Sequence, residues 1–204
     1  MYIPKAYNND DSISAFEFME KHNFADLITN HNNQLMSNKA PLYIDKEKKA
    51  LYGHLGNTNP QLEHIQNSKE MLVVFSGPHA YISPQWYVSE NTVPTWNFQT
   101  LQVRGSAQFV EHEKLIDILA KLSNFHESHY PTQWTMEKLD NRSLESMINM
   151  ITGFQIQIDD IKFKEKLSQN RGPKDQQGVI EALATQQDQF STDISKLMSH
   201  NVKD

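Results

Sequence analysis

The stretch GPHAYISPQWYVSENTVPTWNF, residues 77–98, constrains this chain more than any other. It holds five aromatic rings (Tyr81, Trp86, Tyr87, Trp96, Phe98) and three prolines (Pro78, Pro84, Pro94), with Glu90 as its one carboxylate. A surface loop is normally more polar, and a central strand does not normally tolerate that many prolines. The segment follows MLVVF (71–75), an unbroken apolar run rich in β-branched residues and too short for a helix. Such a run predicts a strand buried on both faces. Pro78 is then expected to end regular pairing, and the prolines to brace a loop that holds its rings in place by lowering unfolded-state entropy. Braced tryptophans and tyrosines suit either a planar ligand or an apolar subunit interface.

The rest of the pattern places this segment in an α+β fold. LQVRGSAQF (101–109) alternates, with Leu101, Val103, Ala107 and Phe109 on one face and Gly105 among them, which predicts a half-buried strand. LYIDKEKKALYGHL reads as a hairpin turning at Asp45–Lys49. NPQLEHIQ (59–66) reads as a short helix with Asn59 as cap and Pro60 at its first position. A first helix over 13–22 is expected to open on a capping box of Ser14 and Glu17. Leu115, Ile118, Leu119 and Leu122 follow helical spacing, as do Leu144, Met147, Ile148 and Ile151; Phe154, Ile156 and Ile158 return to a period of two. Phe190, Ile194, Leu197 and Met198 mark a closing amphipathic helix, and RGPKDQQG (171–178) is the candidate hinge before it. An antiparallel barrel with helices packed outside is the simplest architecture for this order. No βαβ alternation is present, which argues against a doubly wound nucleotide fold.

Composition excludes several chemistries. The absence of cysteine removes disulfides, thiolate metal sites and cysteine nucleophiles. A net charge of −6 opposes a non-specific grip on nucleic acid, and no basic recognition helix stands out. No glycine-rich phosphate loop and no G-x-S-x-G is found, and seven glycines leave few places for backbone to wrap a phosphate. His126 and His129 stand a helical turn apart without a third ligand, so no metal site is assigned. The start, MYIPKAYNNDD, lacks the layout of a signal peptide and no apolar run nears 18 residues, so a cytoplasmic protein away from membranes is expected.

GPHAYISPQWY, VPTWNF, GHLGNTNPQ and KLSQNR together resemble the PaiB-type family of FMN-binding proteins and negative transcriptional regulators, with similarity running from MYIP through DQQGVIEAL. The resemblance implies a split β-barrel of the FMN-binding flavoprotein type over residues 1–170, interrupted by a helical insertion at 111–150, and a helical C-terminal extension at 171–204. It also implies a homodimer with a flavin cleft at the subunit interface, and repression of degradative-enzyme and sporulation genes. An FMN-dependent oxidoreductase or a haem-handling protein is the alternative. The matching positions give the expected cofactor residues: His54, Asn59, Gln61, Tyr81, Ser83, Trp86, Thr95, Trp96, Asn97, Lys166 and Gln169. This chain departs from the family at Asn57, where an arginine is usual, at Gln102, where a histidine is usual, and at Glu165, where an aromatic is usual. Arg104, on the same strand face as Gln102, is the candidate replacement for the missing charge. No catalytic acid or base is singled out beyond His54 and Tyr81 as nearest candidates, and DNA, if a partner, is expected to be reached indirectly.

Overall fold

A computed structural model describes residues 1–131 and 134–202. Residues 132, 133, 203 and 204, which fall within the expected helical insertion and C-terminal extension, lie outside the described residues. The elements run β1 (Asn8–Asn9), α1 (Ser12–Lys21), β2 (Phe24–His31), β3 (Gln34–Pro41), β4 (Tyr43–Asp45), β5 (Ala50–Gly56), α2 (Gln61–Ser68), β6 (Glu70–Ile82), β7 (Thr95–Phe109), α3 (His112–Glu127), α4 (Asn141–Ile148), β8 (Ile151–Lys166), α5 (Pro173–Ala184) and α6 (Gln189–Asn201).

Among the described residues the strands make one eight-stranded sheet in the order β3-β2-β6-β7-β8-β5-β4, with β1 added against β8. The sheet is open, which overturns the expected split barrel: closure requires the first and last strands of the path to pair, and no ladder joins β3 to β4. The reason is local. Only Leu42 separates β3 from β4, and its N–H goes to the Asn23 carbonyl at 2.9 Å. Two strands joined through a single residue cannot fold back on one another, so the sheet's ends meet through the chain and not through hydrogen bonds.

The chain divides into two compact units. The first comprises residues 1–15, 76–101 and 162–204; the second comprises 16–75 and 102–161. In the second unit β2 and β3 form a hairpin turning on Asn32 and Asn33, both with positive φ (50° and 61°), as a two-residue turn of matching twist requires. β4 and β5 pair around the predicted Asp45–Lys49 turn. Met71, Val73 and Phe75 are buried while Leu72 and Val74 are only half-buried, so MLVVF hides one face fully and not both. β6 also does not stop at Pro78: it continues to Ile82, with Gly77 and Pro78 buried within it. The alternation of 101–107 appears as predicted, whereas Phe109, at the strand's end, is exposed. α3 buries Leu115, Ile118 and Leu122.

In the first unit α5 and α6 pack on each other through Val179, Leu183, Ile194 and Met198, with Ala80, Ile82, Tyr87 and Leu167 completing the cluster. The stretch expected as a hinge instead opens α5, with Gly172 as N-cap and Pro173 in the first turn, where a missing N–H costs nothing. At the start of α1 the cap is Asp11, not Ser14. Its carboxylate accepts from the Ser14 N–H at 2.9 Å and from the Ser14 hydroxyl.

Candidate functional site

The first unit presents a strand face lined with rings. β6 continues past Pro78 but shifts phase there: Gly77 and Pro78 are both buried, so His79 and Tyr81 turn outward and Ala80 and Ile82 inward. β7 places Trp96 outward by the same alternation. His79 lies 6.1 Å from Trp96 and 4.8 Å from Phe190 between ring centroids, and Tyr81 meets Trp96 edge-on at 5.8 Å. Trp96 is 52% exposed, Phe190 48% and Tyr81 47%. An open groove of about 460 Å³ runs beside them, lined by Ser76, Gly77, His79, Trp96, Phe98, Gln99 and Thr100. Lys164 stands 5.4 Å from the Phe98 ring.

The KLSQNR turn supplies cations to the same unit. Lys166 donates to the Thr95 hydroxyl at 2.6 Å and the Trp96 carbonyl at 2.7 Å. Burial, with Lys164 and Arg171 nearby, pulls its pKa below the ordinary lysine value. Gln169 closes the turn, accepting from the Leu167 N–H at 2.7 Å and donating to the Glu165 carbonyl at 2.6 Å. Ser168 adopts a positive φ of 63° and donates to the buried Asn97 amide oxygen at 3.2 Å; the Asn97 amide nitrogen donates back at 2.9 Å. Glu165, the position where an aromatic is usual, accepts from the amides of Gln99 and Asn9.

Two of the expected ligand residues in this unit sit elsewhere. Ser83 accepts from the Gln85 N–H at 3.3 Å, capping a 3₁₀ turn over Pro84–Trp86. Trp86 packs, partly buried, on the α5–α6 core, and its carbonyl lies 2.2 Å from where a Cβ on Gly178 would be. Only a glycine lets α5 approach there.

The remaining candidates belong to the second unit. Gln61 is fully buried: its amide nitrogen donates to the Leu27 carbonyl at 2.9 Å and the Thr29 hydroxyl at 3.1 Å, and its amide oxygen accepts from Asn38 at 3.0 Å. Thr29 also contacts His64 Nδ1 at 3.0 Å. Asn59 accepts from the Gln61 N–H at 2.9 Å and so caps α2. His54 holds a buried Nδ1 with no partner, and burial lowers its pKa from the ordinary histidine value. Asn57, where the arginine would be, donates to the Asn149 carbonyl at 2.7 Å and accepts from the Thr152 hydroxyl at 2.8 Å. Arg104 borders a separate groove with Thr29, Asn30, Glu70 and Leu72. His79, Phe98, Phe190 and Lys164 were not singled out as ligand residues from the sequence. Period two counted from Met71, Val73 and Phe75 would put His79 on the buried face; the phase shift at Gly77 and Pro78, both buried, turns it outward. Among the described residues no group of three or more His, Cys, Asp or Glu is placed to hold a metal ion. No helix there is long and apolar enough to cross a membrane.

An α+β sheet protein with helices around an open sheet, an aromatic strand face and lysine amines beside it is the class these features define. Solved structures share that fold. The flavocytochrome Anf3 from Azotobacter vinelandii superposes with a TM-score of 0.61 at 13% identity, covering 84% of this chain and 74% of that one. A conserved hypothetical protein, Rv2991, from Mycobacterium tuberculosis does so at 0.61 and 11% identity, covering 85% and 94%. A family model described as "Putative FMN-binding domain" matches residues 1–160. The "Protease synthase and sporulation protein PAI 2" of Bacillus subtilis (strain 168) is 34% identical over 205 residues, spanning 100% of this chain and 99% of that relative. The chain belongs to the PaiB-like FMN-binding family.

Proposed function

We propose that the chain binds a flavin nucleotide on the aromatic face of its first unit, as a homodimer whose second copy covers that face, and serves redox chemistry there. The observation that carries this reading is the exposed cluster of His79, Tyr81, Trp96 and Phe190 beside an open groove. A tricyclic ring needs a flat apolar wall and a few directional groups at its edge. Trp96, Tyr81 and Phe98 supply the wall; Ser76 and His79 supply the edge. These residues fit the group. When bound, a flavin supplies the electron or hydride transfer, and the chain's part is to stack the ring, orient it and exclude water. Family membership supports the same reading, and so does the name of the flavocytochrome that shares the fold.

Titration of FMN with the purified protein, read by flavin fluorescence, tests it. Saturable quenching is expected, and Trp96→Ala should weaken affinity about tenfold, since one stacking contact contributes roughly 1–3 kcal/mol. A wild-type protein that leaves added FMN unquenched defeats the proposal.

A second reading is favoured by full-length similarity to a relative named for protease synthesis and sporulation. On that reading the protein represses such genes without gripping DNA itself, which fits a net charge of −6. A mobility shift with promoter DNA at low salt is expected to show no complex, and a salt-sensitive complex would establish direct contact instead.

A further inference from the structure

Beyond the ring face, we infer that Tyr7, Tyr87, Lys166 and Arg171 form a binding site for a phosphate-class anion. The site stands on its own geometry and does not depend on the flavin proposal. Four observations lead to it.

The first is charge without a direct ion pair. Carboxylates outnumber lysine and arginine in this chain, 25 to 19, yet among the described residues no carboxylate lies within ion-pair distance of Lys166 or Arg171. Asp175 feels the Arg171 charge but spends its hydrogen bonds elsewhere. Asp175 accepts from the N–H groups of Val88 and Ser89 at 2.8 and 2.9 Å, and Glu165 accepts from two amides.

The second is placement. Each cation rests against a phenol: the Arg171 guanidinium lies 4.6 Å from the Tyr87 ring centroid, and the Lys166 amine lies 5.8 Å from that of Tyr7. Arg171 and Tyr87 both act electrostatically on the Tyr7 hydroxyl, and Arg171 acts on Lys166, so Arg171 lies within electrostatic reach of the other cation and of the Tyr7 phenol.

The third is an orphan. Tyr87 is only 8% exposed and its hydroxyl is buried with no hydrogen-bond partner. Buried hydroxyls are rarely left so, and a partner not belonging to the chain is the physical remedy. The hydroxyl is a donor in want of an acceptor, on a ring that carries the Arg171 guanidinium, and an anion satisfies both.

The fourth is rigidity. The positive φ of Ser168 turns the chain, the Arg171 N–H is tied to the Ser168 carbonyl at 2.9 Å, and its carbonyl accepts from Gln176 at 2.7 Å. Lys166 makes two hydrogen bonds, leaving its third N–H for a ligand. A planar fork, an ammonium and two phenols offer donors from several directions, which suits a tetrahedral oxyanion better than a planar carboxylate.

The probe is inorganic phosphate, followed by ³¹P line broadening, with wild type, Tyr87→Phe and Arg171→Gln. Saturable binding to wild type is expected, with each substitution weakening it about tenfold or more, the usual consequence of losing a hydrogen bond to a charged group. Tyr87→Phe removes a single unpartnered oxygen, so it should fold. If the hydroxyl is merely a packing defect, that variant is more stable and binds phosphate as wild type does, which overturns the inference. Absence of saturable binding to wild type overturns it too. FMN and riboflavin arms identify the source. Phosphate that displaces FMN, with riboflavin binding more weakly, assigns the anion to the nucleotide's own phosphate. Phosphate that binds without displacing FMN assigns it to a separate phosphorylated ligand. Phosphate binding with neither flavin bound leaves this site standing and removes the flavin proposal.

Discussion

Truncating Gln61 to alanine should cost about 3 kcal/mol of folding free energy, although the residue touches no solvent and no groove on the aromatic face. The figure follows from its partners. Four hydrogen bonds disappear, to the Leu27 carbonyl, the Thr29 hydroxyl, the Asn38 amide and, at 3.4 Å, the Met36 carbonyl. Each contributes about 0.5–1.5 kcal/mol net. Thr29 is 2% exposed and cannot recover a water, so its loss sits at the costly end, whereas half-buried Asn38 can rehydrate. The better helix propensity of alanine returns a few tenths. For a chain of this length about 3 kcal/mol lowers Tm by roughly 6–12 °C. Urea unfolding followed by tryptophan fluorescence should show the midpoint falling with little change in slope. Gln61→Met separates network from volume: it refills the space but makes none of the bonds, and should recover less than about 1 kcal/mol. A Gln61→Ala midpoint within about 0.5 kcal/mol of wild type, or full rescue by methionine, would refute the network argument.

Two further outcomes are expected. A Cβ at Gly105 would lie 2.2 Å from the Gln157 carbonyl oxygen and 2.7 Å from Ile156 Cγ2, so Gly105→Ala must push strands apart; it should destabilise by roughly 2 kcal/mol or more, read by the urea midpoint. His54 gives a pH signature. Burial holds its folded pKa below the ordinary value near 6.5, so as pH falls below that value the unfolded chain takes up a proton that the folded ring refuses. Stability should therefore fall from about pH 6.5 down to the folded pKa and then level, and His54→Leu should flatten that part of the profile. Equal slopes for the two proteins would show that the ring does not titrate in this way.

Local patterns carried much of the fold. The hairpin at Asp45–Lys49, the start of α2 and the buried stripe of α3 are each set by neighbours within a few residues, and periodicity reports them. The tight turn at Asn32-Asn33, where both residues take positive φ, was not read from the sequence. What periodicity does not hold is pairing between distant strands, and so the openness of the sheet is decided at Leu42, a position with no signature of its own. Proline and glycine misled in two places for a common reason: each is compatible with both a break and an element's start or interior. Pro78 lies inside β6 and Pro173 opens α5. For the candidate site, residue type indicated chemistry but not its use. Asn59 and Gln61 look like ligand groups in sequence, yet their hydrogen bonds are internal. The orphan hydroxyl of Tyr87 could not be foreseen, because the absence of a partner is visible only when every neighbour is in place.

The chain's three tryptophans occupy contrasting surroundings: Trp86 wedged under α5 and α6, Trp96 half open among other rings, and Trp134 exposed. An indole's emission shifts to the blue in apolar company and to the red in water. The protein thus carries its own optical gauge, in which departure of the closing helices and occupation of the ring face alter different parts of one spectrum without any attached dye.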